Sequence, residues 1–283
     1  MRLVSFRVSD RDSYGVVVGD GVIDMGRRLR GQYPTLRAAI GADALAEIAL
    51  AAEATPPDYP LSRVTLQRPI PEPDKIVCIG RNYRGHALNA RDRVPDHPSL
   101  FLRLSNSLVP HGAALVRPRV STDMDYEGEL ALIIGKPGRH IPRAQALQHV
   151  VGYSCFNDGS IRDFQFKHSV TAGKNFASTG SFGPWVGTSD EIPDPTQLSL
   201  STRLNGTTVQ QGKVADMIFD ISSIIAYVSA FTPLVAGDVI ATGTPEGAGF
   251  SREPPVWMKP GDVIEVEISG IGVLRNTVVA ERA

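Results

Sequence analysis

The chain has 283 residues, of which 42% are hydrophobic and 21% are charged, a composition typical of a globular protein with its own core. The 29 basic side chains nearly balance the 30 acidic ones, so the net charge of −1 excludes a strong overall field that would attract nucleic acid or an anionic membrane. The longest uninterrupted apolar run, residues 130–134, is far too short to cross a membrane.

The cysteines and the N-terminus predict a cytoplasmic protein. Cys78 and Cys155 lie in separate apolar stretches, and their wide spacing fits neither a zinc ligand pair nor the disulfide framework of a secreted protein. We expect both to be small, reduced core residues. The first ten residues contain Arg2, Arg7 and Asp10 and no continuous apolar segment, so they do not resemble a signal peptide.

The first seventy residues predict a small α+β domain. Residues 3–8 and 14–25 have the composition of a strand and a hairpin. Residues 35–54 are rich in alanine and leucine at helical spacing and predict one helix. Three prolines within residues 69–73 make a stiff connector, so we place the end of a first domain at residue 70.

The second predicted domain, residues 71–283, is built mainly of strands. Nine segments have strand-like apolar patterns and are separated by turns rich in glycine and proline. These segments are residues 76–80, 99–104, 126–134, 150–156, 183–187, 198–204, 238–244, 263–268 and 273–279. Short helices are predicted after Asn82 and over residues 143–147 and 218–230. This order favours an α+β, mostly β protein with a sheet roll or sandwich over a doubly wound parallel sheet.

Carboxylates alternate along residues 123–129, just before an apolar stretch. Side chains two residues apart in a strand point to the same face, so a strand here would gather four like charges. These are Asp123, Asp125, Glu127 and Glu129. A hard divalent cation would neutralise them, because Mg²⁺, Mn²⁺ and Ca²⁺ prefer carboxylate oxygens. A sheet with one acidic, solvated face is the alternative.

A further carboxylate follows the predicted strand at residues 150–156. Asp158 stands at the end of this apolar segment and precedes a short helix that holds Arg162 and Asp163. A carboxylate at the end of a buried strand is suited to be a third ligand, and three such ligands leave positions on an octahedral ion for water and substrate. An acidic residue near a helix N-terminus is the alternative explanation for Asp158.

Several motifs together resemble the fumarylacetoacetate hydrolase superfamily, in its branch of acylpyruvate hydrolases and oxaloacetate decarboxylases. The resemblance runs from Asp74 to the C-terminus and rests on motifs in the family's order. They are Ile79-Gly-Arg-Asn-Tyr-Arg-Gly-His86, Glu127-x-Glu129, Asp158, Gly173-Lys-Asn175 and Thr242-Gly-Thr-Pro245. The resemblance implies a mixed β-sandwich roll of the family's C-terminal type behind the small N-terminal domain, and a homodimer. It also implies one Mg²⁺ or Mn²⁺ per subunit, bound by Glu127, Glu129 and Asp158.

The resemblance assigns a water-activating role to His86. An imidazole titrates near neutral pH and can take a proton from water, although a solvated loop histidine is the simpler explanation from composition alone. Related acylpyruvate hydrolases carry glutamate three residues after this histidine, whereas this chain has Asn89. An asparagine can orient the ring by a hydrogen bond but cannot accept a proton.

Four more residues receive roles from the resemblance. Lys174 is expected to neutralise a substrate carboxylate or a developing enolate, although a surface lysine is the simpler alternative. Arg103 would otherwise be an outward residue on a strand, and the family often has a basic side chain near the substrate at this position. Thr242 and Thr244 are expected to bind a substrate carboxylate, although a plain turn would also explain them.

These expectations favour a metal-dependent hydrolase that cleaves a carbon–carbon bond in a 1,3-dicarbonyl acid such as an acylpyruvate. The metal would act as a Lewis acid on the enolate-like form of a small 2-oxo acid. The first alternative is a decarboxylase, lyase, tautomerase or isomerase acting on an oxaloacetate-like or ring-cleavage 2-oxo acid. Decarboxylation needs no activated water, so Asn89 is less of an obstacle to it. The second alternative is a non-enzymatic binding protein.

Overall fold

The computed structural model describes residues 1–29, 31–85 and 96–282, and within them the chain is mostly β. The strands are β1 (Arg2–Val8), β2 (Arg11–Val18), β3 (Gly21–Asp24), β4 (Tyr59–Pro60), β5 (Thr65–Leu66), β6 (Ile76–Gly80), β7 (Ser99–Leu102), β8 (Leu108–Val109), β9 (Leu115–Arg117), β10 (Met124–Asp125), β11 (Gly128–Ile134), β12 (Val150–Asn157), β13 (Ser160–Ile161), β14 (Gly180–Thr188), β15 (Ser199–Leu204), β16 (Thr207–Lys213), β17 (Val239–Ala241), β18 (Val263–Ile268) and β19 (Gly272–Ala280).

The α-helices of the described residues are short. They are α1 (Met25–Arg28), α2 (Leu36–Gly41), α3 (Leu45–Ala52), α4 (Arg162–Lys167), α5 (Val170–Lys174) and α6 (Ile221–Phe231). Single 3₁₀ turns are Leu61–Arg63, Ser105–Ser107, Pro195–Gln197, Val214–Asp216 and Gly249–Ser251, and a longer 3₁₀ helix covers Arg143–His149. No helix among the residues described is long and apolar enough to span a membrane.

The strands form one large sheet and one small sheet. The large sheet has the order β4-β3-β2-β1-β14-β12-β11-β17-β6-β7, and the small one has the order β16-β15-β18-β19-β9. Most neighbours are antiparallel, but β17 and β6, β14 and β8, and β19 and β9 pair in parallel. A two-stranded ribbon joins β10 to β13. The predicted α+β, mostly β class with mixed sheets is therefore confirmed.

The core explains why β11 is apolar without interruption. On one face, Leu130 and Leu132 pack in a cluster that includes Leu200 and Val266 of the small sheet and residues of α6. On the other face, Ala131 belongs to a cluster with residues of the first seventy, including β1 and α2. Because both faces are covered, every residue of β11 is buried. Cys78 and Cys155 are free and buried, as predicted.

The N-terminal segment shares the large sheet with the rest of the chain. Strand β1 pairs antiparallel with β14, with Arg2 opposite Gly187. The predicted boundary after residue 70 therefore falls within one continuous sheet, and the independence of the two parts stays a prediction. The single helix predicted for residues 35–54 is wrong: α2 and α3 are separated by a turn in which Asp43 has a left-handed backbone, with φ of 56°.

The acidic segment is not the single strand that its alternation predicts. β10 ends at Asp125 and pairs with β13, whereas β11 begins at Gly128 in the large sheet. The break follows from local bonding, because the Asp125 carboxylate accepts the backbone N–H of Tyr126 at 2.8 Å and that of Gly249 at 2.7 Å. The expectation that four carboxylates share one face of one strand is therefore wrong.

Candidate metal centre

Two neighbouring strands bring Glu127, Glu129 and Asp158 together. Glu129 lies on β11, Glu127 immediately precedes that strand, and Asp158 immediately follows β12. The β11–β12 pairing sets Gly128 opposite Asn157, and the Asp158 N–H donates to the Glu127 carbonyl at 2.8 Å. One oxygen atom from each carboxylate lies within 4.8 Å of the others, and all three residues are buried. This group of oxygen ligands suits a hard divalent cation.

Among the described residues, Glu129 forms no ion pair with a cationic side chain. Its carboxylate accepts the Gly243 N–H at 2.8 Å. Burial raises the pKa of Glu129 well above its usual range, and the charges of Asp158 and Glu127 raise it further. A bound divalent ion would lower the pKa of Glu129 again by stabilising the ionised carboxylate. The environment of Glu129 therefore fits a cation site.

Buried cations hold the other two carboxylates. The Arg162 guanidinium donates to one oxygen of Glu127 and, through Nε, to Asp125 at 2.7 Å. The Lys174 ammonium donates to Glu127 Oε2 and to Asp158 Oδ2, each at 2.5 Å. Arg162 stacks over the Phe250 ring, at 4.4 Å from its centroid.

The carboxylates around Lys174 favour its charged form. Burial acts to lower the pKa of Lys174, but the charges of Asp158 and Glu127 outweigh burial, and the pKa is raised. The surface-lysine alternative is wrong, because Lys174 is buried between these carboxylates, whereas its expected role toward a substrate carboxylate or an enolate stays a prediction. Lys174 ends α5, which Ser169 caps by accepting the Ala172 N–H.

Arg103 lies behind Asp158 and not on the outer face of a strand. β7 ends at Leu102, and the Arg103 side chain is fully buried, with Nη1 donating to Asp158 Oδ1 at 2.6 Å. The interpretation of Arg103 as an otherwise outward strand residue is wrong, because this ion pair draws it inward. Arg103 is absent from the lining of the cavity beside the carboxylates.

That cavity has a volume of about 260 Å³ and combines a charged floor with walls of both polar and apolar side chains. The floor contains the three carboxylates together with Arg162 and Lys174. The walls include Arg81, Phe101, Gln165, Phe166, Val170 and Phe250. A larger groove of about 850 Å³ lies elsewhere, beside Trp185 and His111, but its lining contributes a single carboxylate and no cluster of ionisable groups.

The two predicted threonines have different surroundings. Thr244 lines the cavity, and its hydroxyl donates to the Gly128 carbonyl at 2.8 Å while accepting from Gln210 at 2.8 Å. Thr242 is absent from the lining, and its hydroxyl donates to the Leu130 carbonyl at 2.9 Å. Of the two, Thr244 is the one beside the site.

His86 and Asn89 lie outside the described residues, so their predicted roles stay predictions. Sequence analysis named Arg162 only as part of the short helix after Asp158, yet Arg162 contacts both Asp125 and Glu127. The signal for Arg162 was present, since a basic residue four positions after a candidate ligand begins a short helix. Phe250 and Gln165 carried no comparable signal, because their position depends on how distant loops meet.

Comparison with known proteins identifies the family. The family model for the fumarylacetoacetate (FAA) hydrolase C-terminal domain matches residues 75–279. Oxaloacetate tautomerase YisK of Bacillus subtilis (strain 168) is 41% identical over 225 residues, covering 78% of this chain and 75% of its own. The mitochondrial oxaloacetate tautomerase Fahd2a of Rattus norvegicus is 36% identical over 287 residues, covering 99% of this chain and 92% of its own.

A solved structure supports the same family assignment. Maleylpyruvate hydrolase from Sphingobium sp. SYK-6, in complex with manganese(II) ion and pyruvate, superimposes with a TM-score of 0.83 at 31% identity, and the match covers 100% of both chains. The fold, the grouped carboxylates and the extent of these matches lead to one conclusion: the chain belongs to the fumarylacetoacetate hydrolase family of enzymes.

Proposed function

We propose that the protein is a divalent-metal-dependent tautomerase that interconverts the keto and enol forms of oxaloacetate or a similar short 2-oxo acid. The observation that carries this proposal is the group of three buried carboxylates at the floor of a small cavity, next to two buried cations. The reaction requires stabilisation of an enolate, and these groups surround the space where its charge would develop.

The charges in and behind the site support an anionic substrate. Four buried carboxylates, Asp125, Glu127, Glu129 and Asp158, face three buried cations, Arg103, Arg162 and Lys174. With all of them ionised, the group carries one net negative charge. A divalent ion changes the balance to one net positive charge, which then favours a 2-oxo acid.

The roles of the chain follow from these positions. Glu127, Glu129 and Asp158 would hold Mg²⁺ or Mn²⁺, which when bound would act as a Lewis acid toward the oxygens of the 2-oxo acid. Lys174 supplies a positive charge that would stabilise the enolate, and Thr244 forms part of the cavity wall against which the substrate would lie. His86 is our candidate for the group that moves the proton, as its motif in the sequence suggests.

Two observations favour tautomerisation over carbon–carbon bond hydrolysis. Relatives at 36–41% identity carry the name oxaloacetate tautomerase. In addition, Asn89 stands where the resembling hydrolases have a glutamate that would help a histidine to activate water. Tautomerisation consumes no water, so the missing glutamate does not impede it.

Hydrolysis of an acylpyruvate-like acid is the second candidate. It is favoured by the similarity to maleylpyruvate hydrolase over the whole chain. If this candidate is correct, Asn89→Glu should raise the rate of hydrolysis specifically, because a carboxylate near an imidazole makes it more basic.

The test follows the loss of enol absorbance and identifies the products. Enzyme stripped of metal and then supplied with Mg²⁺ or Mn²⁺ is mixed with the enol form of oxaloacetate and, separately, with acylpyruvates. Tautomerisation leaves the carbon skeleton intact, decarboxylation yields pyruvate and carbon dioxide, and hydrolysis yields pyruvate and a second acid. We expect rapid ketonisation that metal alone does not reproduce; full activity in excess chelator would contradict the proposal.

We also propose that the protein forms a homodimer and that each subunit binds a small 2-oxo acid. The family resemblance supports this assembly. Light scattering at micromolar concentration should give twice the chain mass of 30.5 kDa. A monomer at that concentration would contradict it. The cytoplasmic location stays a prediction.

A further inference from the structure

Arg103 has no access to the cavity, yet its guanidinium contacts one of the three carboxylates directly. Its side chain is fully buried and pairs with Asp158, which lines the cavity, whereas Arg103 does not. We infer that Arg103 is a positioning residue, which fixes the Asp158 carboxylate so that a single oxygen, Oδ2, faces the metal. The inference rests on the proposed metal site, but not on which reaction takes place there.

The guanidinium is held from several directions. Nη1 donates to Asp158 Oδ1 at 2.6 Å and to the Gly159 carbonyl at 2.9 Å, and Nε donates to Ser107 Oγ at 3.0 Å. Nη2 adds longer contacts to the Ser107 carbonyl and to Thr179 Oγ1, each at 3.3 Å. A planar group with so many fixed partners cannot rotate, so it transmits a fixed orientation to the carboxylate.

The two oxygens of Asp158 therefore have separate partners. Oδ1 accepts from Arg103, whereas Oδ2 accepts from Lys174 at 2.5 Å. Lys174 also contacts Glu127 Oε2, so Oδ2 belongs to the group of oxygens that point toward one another. With Oδ1 occupied, Asp158 can offer a metal ion one oxygen in a defined direction and cannot turn to bind through both.

The surroundings of Arg103 are shaped to receive it. A Cβ atom on Gly180, in β14, would lie 2.8 Å from Arg103 Nη2. Glycine at position 180 therefore leaves room for the guanidinium, whereas any larger residue there would crowd it. A lysine at position 103 would keep the charge but would lose the planar fork that reaches Asp158, Gly159 and Ser107 together.

Charge and geometry predict opposite effects when Arg103 is removed. If the arginine acted only through its charge, its loss would make the site more negative and tighten the binding of a divalent cation. If it orients Asp158, its loss weakens binding, and hydrogen-bonding partners of metal ligands typically contribute about 10–100-fold to affinity. The sign of the change therefore separates the two roles.

The experiment measures Mn²⁺ binding to the full-length protein by isothermal titration calorimetry. The variants are Arg103→Met and Arg103→Lys, and Arg68→Met is the matched control. Arg68 is a partly buried arginine that donates to Ser105 Oγ at 2.7 Å and does not contact Asp158. We expect the Kd to rise about 10–100-fold in Arg103→Met, to rise in Arg103→Lys as well, and to stay unchanged in Arg68→Met.

Electron paramagnetic resonance of the bound Mn²⁺ provides a second readout. We expect an altered spectrum in Arg103→Lys, because a turned Asp158 changes the ligand geometry. Arg103→Lys keeps the charge and decides the matter if Arg103→Met fails to fold. A wild-type Kd and spectrum in Arg103→Lys would overturn this inference and leave the proposed metal site intact. Tighter binding in a folded Arg103→Met would do the same. A wild-type protein that binds no Mn²⁺ would overturn the proposed metal site and this inference together.

Discussion

Glu129 differs from Glu127 and Asp158 in what surrounds its charge. The latter two contact buried cations, whereas the Glu129 carboxylate accepts a hydrogen bond from the Gly243 N–H. Because native Glu129 holds its proton to higher pH than the usual 4.5, the native state binds more protons than the unfolded chain above that pH. Its contribution to stability therefore declines as pH rises.

The variant Glu129→Gln tests this reasoning. In metal-free protein at pH 8, the neutral amide should raise the free energy of unfolding by about 1–3 kcal/mol, because it replaces a carboxyl group whose ionisation is opposed by burial and by two neighbouring carboxylates. The same change should abolish Mn²⁺ binding and turnover. Denaturant melts across pH and calorimetric titration measure both effects. A variant that binds Mn²⁺ like wild type would exclude Glu129 as a ligand.

Lys174→Met should have the opposite effect on stability. The change leaves the facing oxygens of Glu127 and Asp158 without their shared ammonium, and breaking such a buried pair costs about 3–5 kcal/mol. Saturating Mn²⁺ should restore part of this loss, because the ion neutralises the same oxygens. Chemical denaturation with and without Mn²⁺ measures the recovery. The exposed Lys213 supplies the control Lys213→Met; equal stability of both variants would contradict the prediction.

At the scale of elements, Gly128 sets how closely β11 approaches the small sheet. A Cβ atom there would lie 2.1 Å from Thr202 Oγ1 on β15. Gly128→Ala should therefore cost about 1–3 kcal/mol, as overpacking does. Adding Thr202→Ala removes the clashing hydroxyl and should recover most of the loss. Unfolding free energies of the two single variants and the double variant form a mutant cycle, and strictly additive effects would disprove the clash.

The two-residue alternation of strand side chains predicted part of the site. The hydrogen bonds of Asp125 explain why the rest of that prediction failed. Glu127 and Glu129 do stand side by side, as their spacing of two residues requires. Asp125 does not join them, because it pairs with Arg162 and with backbone N–H groups of a loop distant in sequence. Arg103 lies behind Asp158 because the two side chains form a buried ion pair. No pattern in the residues around Arg103 predicts this contact.

Elements with clear apolar periodicity were predicted better than polar ones. The apolar residues of β6, β12 and β18 match their predicted strands to within a residue or two. Strand β16 was missed, since its sequence Thr-Thr-Val-Gln-Gln-Gly-Lys lies at the edge of the small sheet and has little apolar content. Its pairing with β15, and not its composition, makes it a strand.

At the scale of the whole molecule, the large sheet depends on the N-terminal segment. Without β1, the part of β14 around Val186 and Gly187 would lose its partner strand, and the cluster around Ala131 would lose Leu3 and the residues of α2. A fragment of residues 71–283 should therefore aggregate or unfold without cooperativity. Size-exclusion chromatography and denaturant melts test this. A soluble fragment with a sharp transition would show instead that the boundary at residue 70 separates independent domains.

The pairing of β1 with β14 also determines when the protein can finish folding during its synthesis. Leu3 pairs with Val186, so β1 must wait for a partner strand that is synthesised much later. Contacts this distant along the chain slow folding, because a long loop must close before they form. Until then β1 can pair only with β2 and β5 of the N-terminal segment, and its apolar side stays available to chaperones.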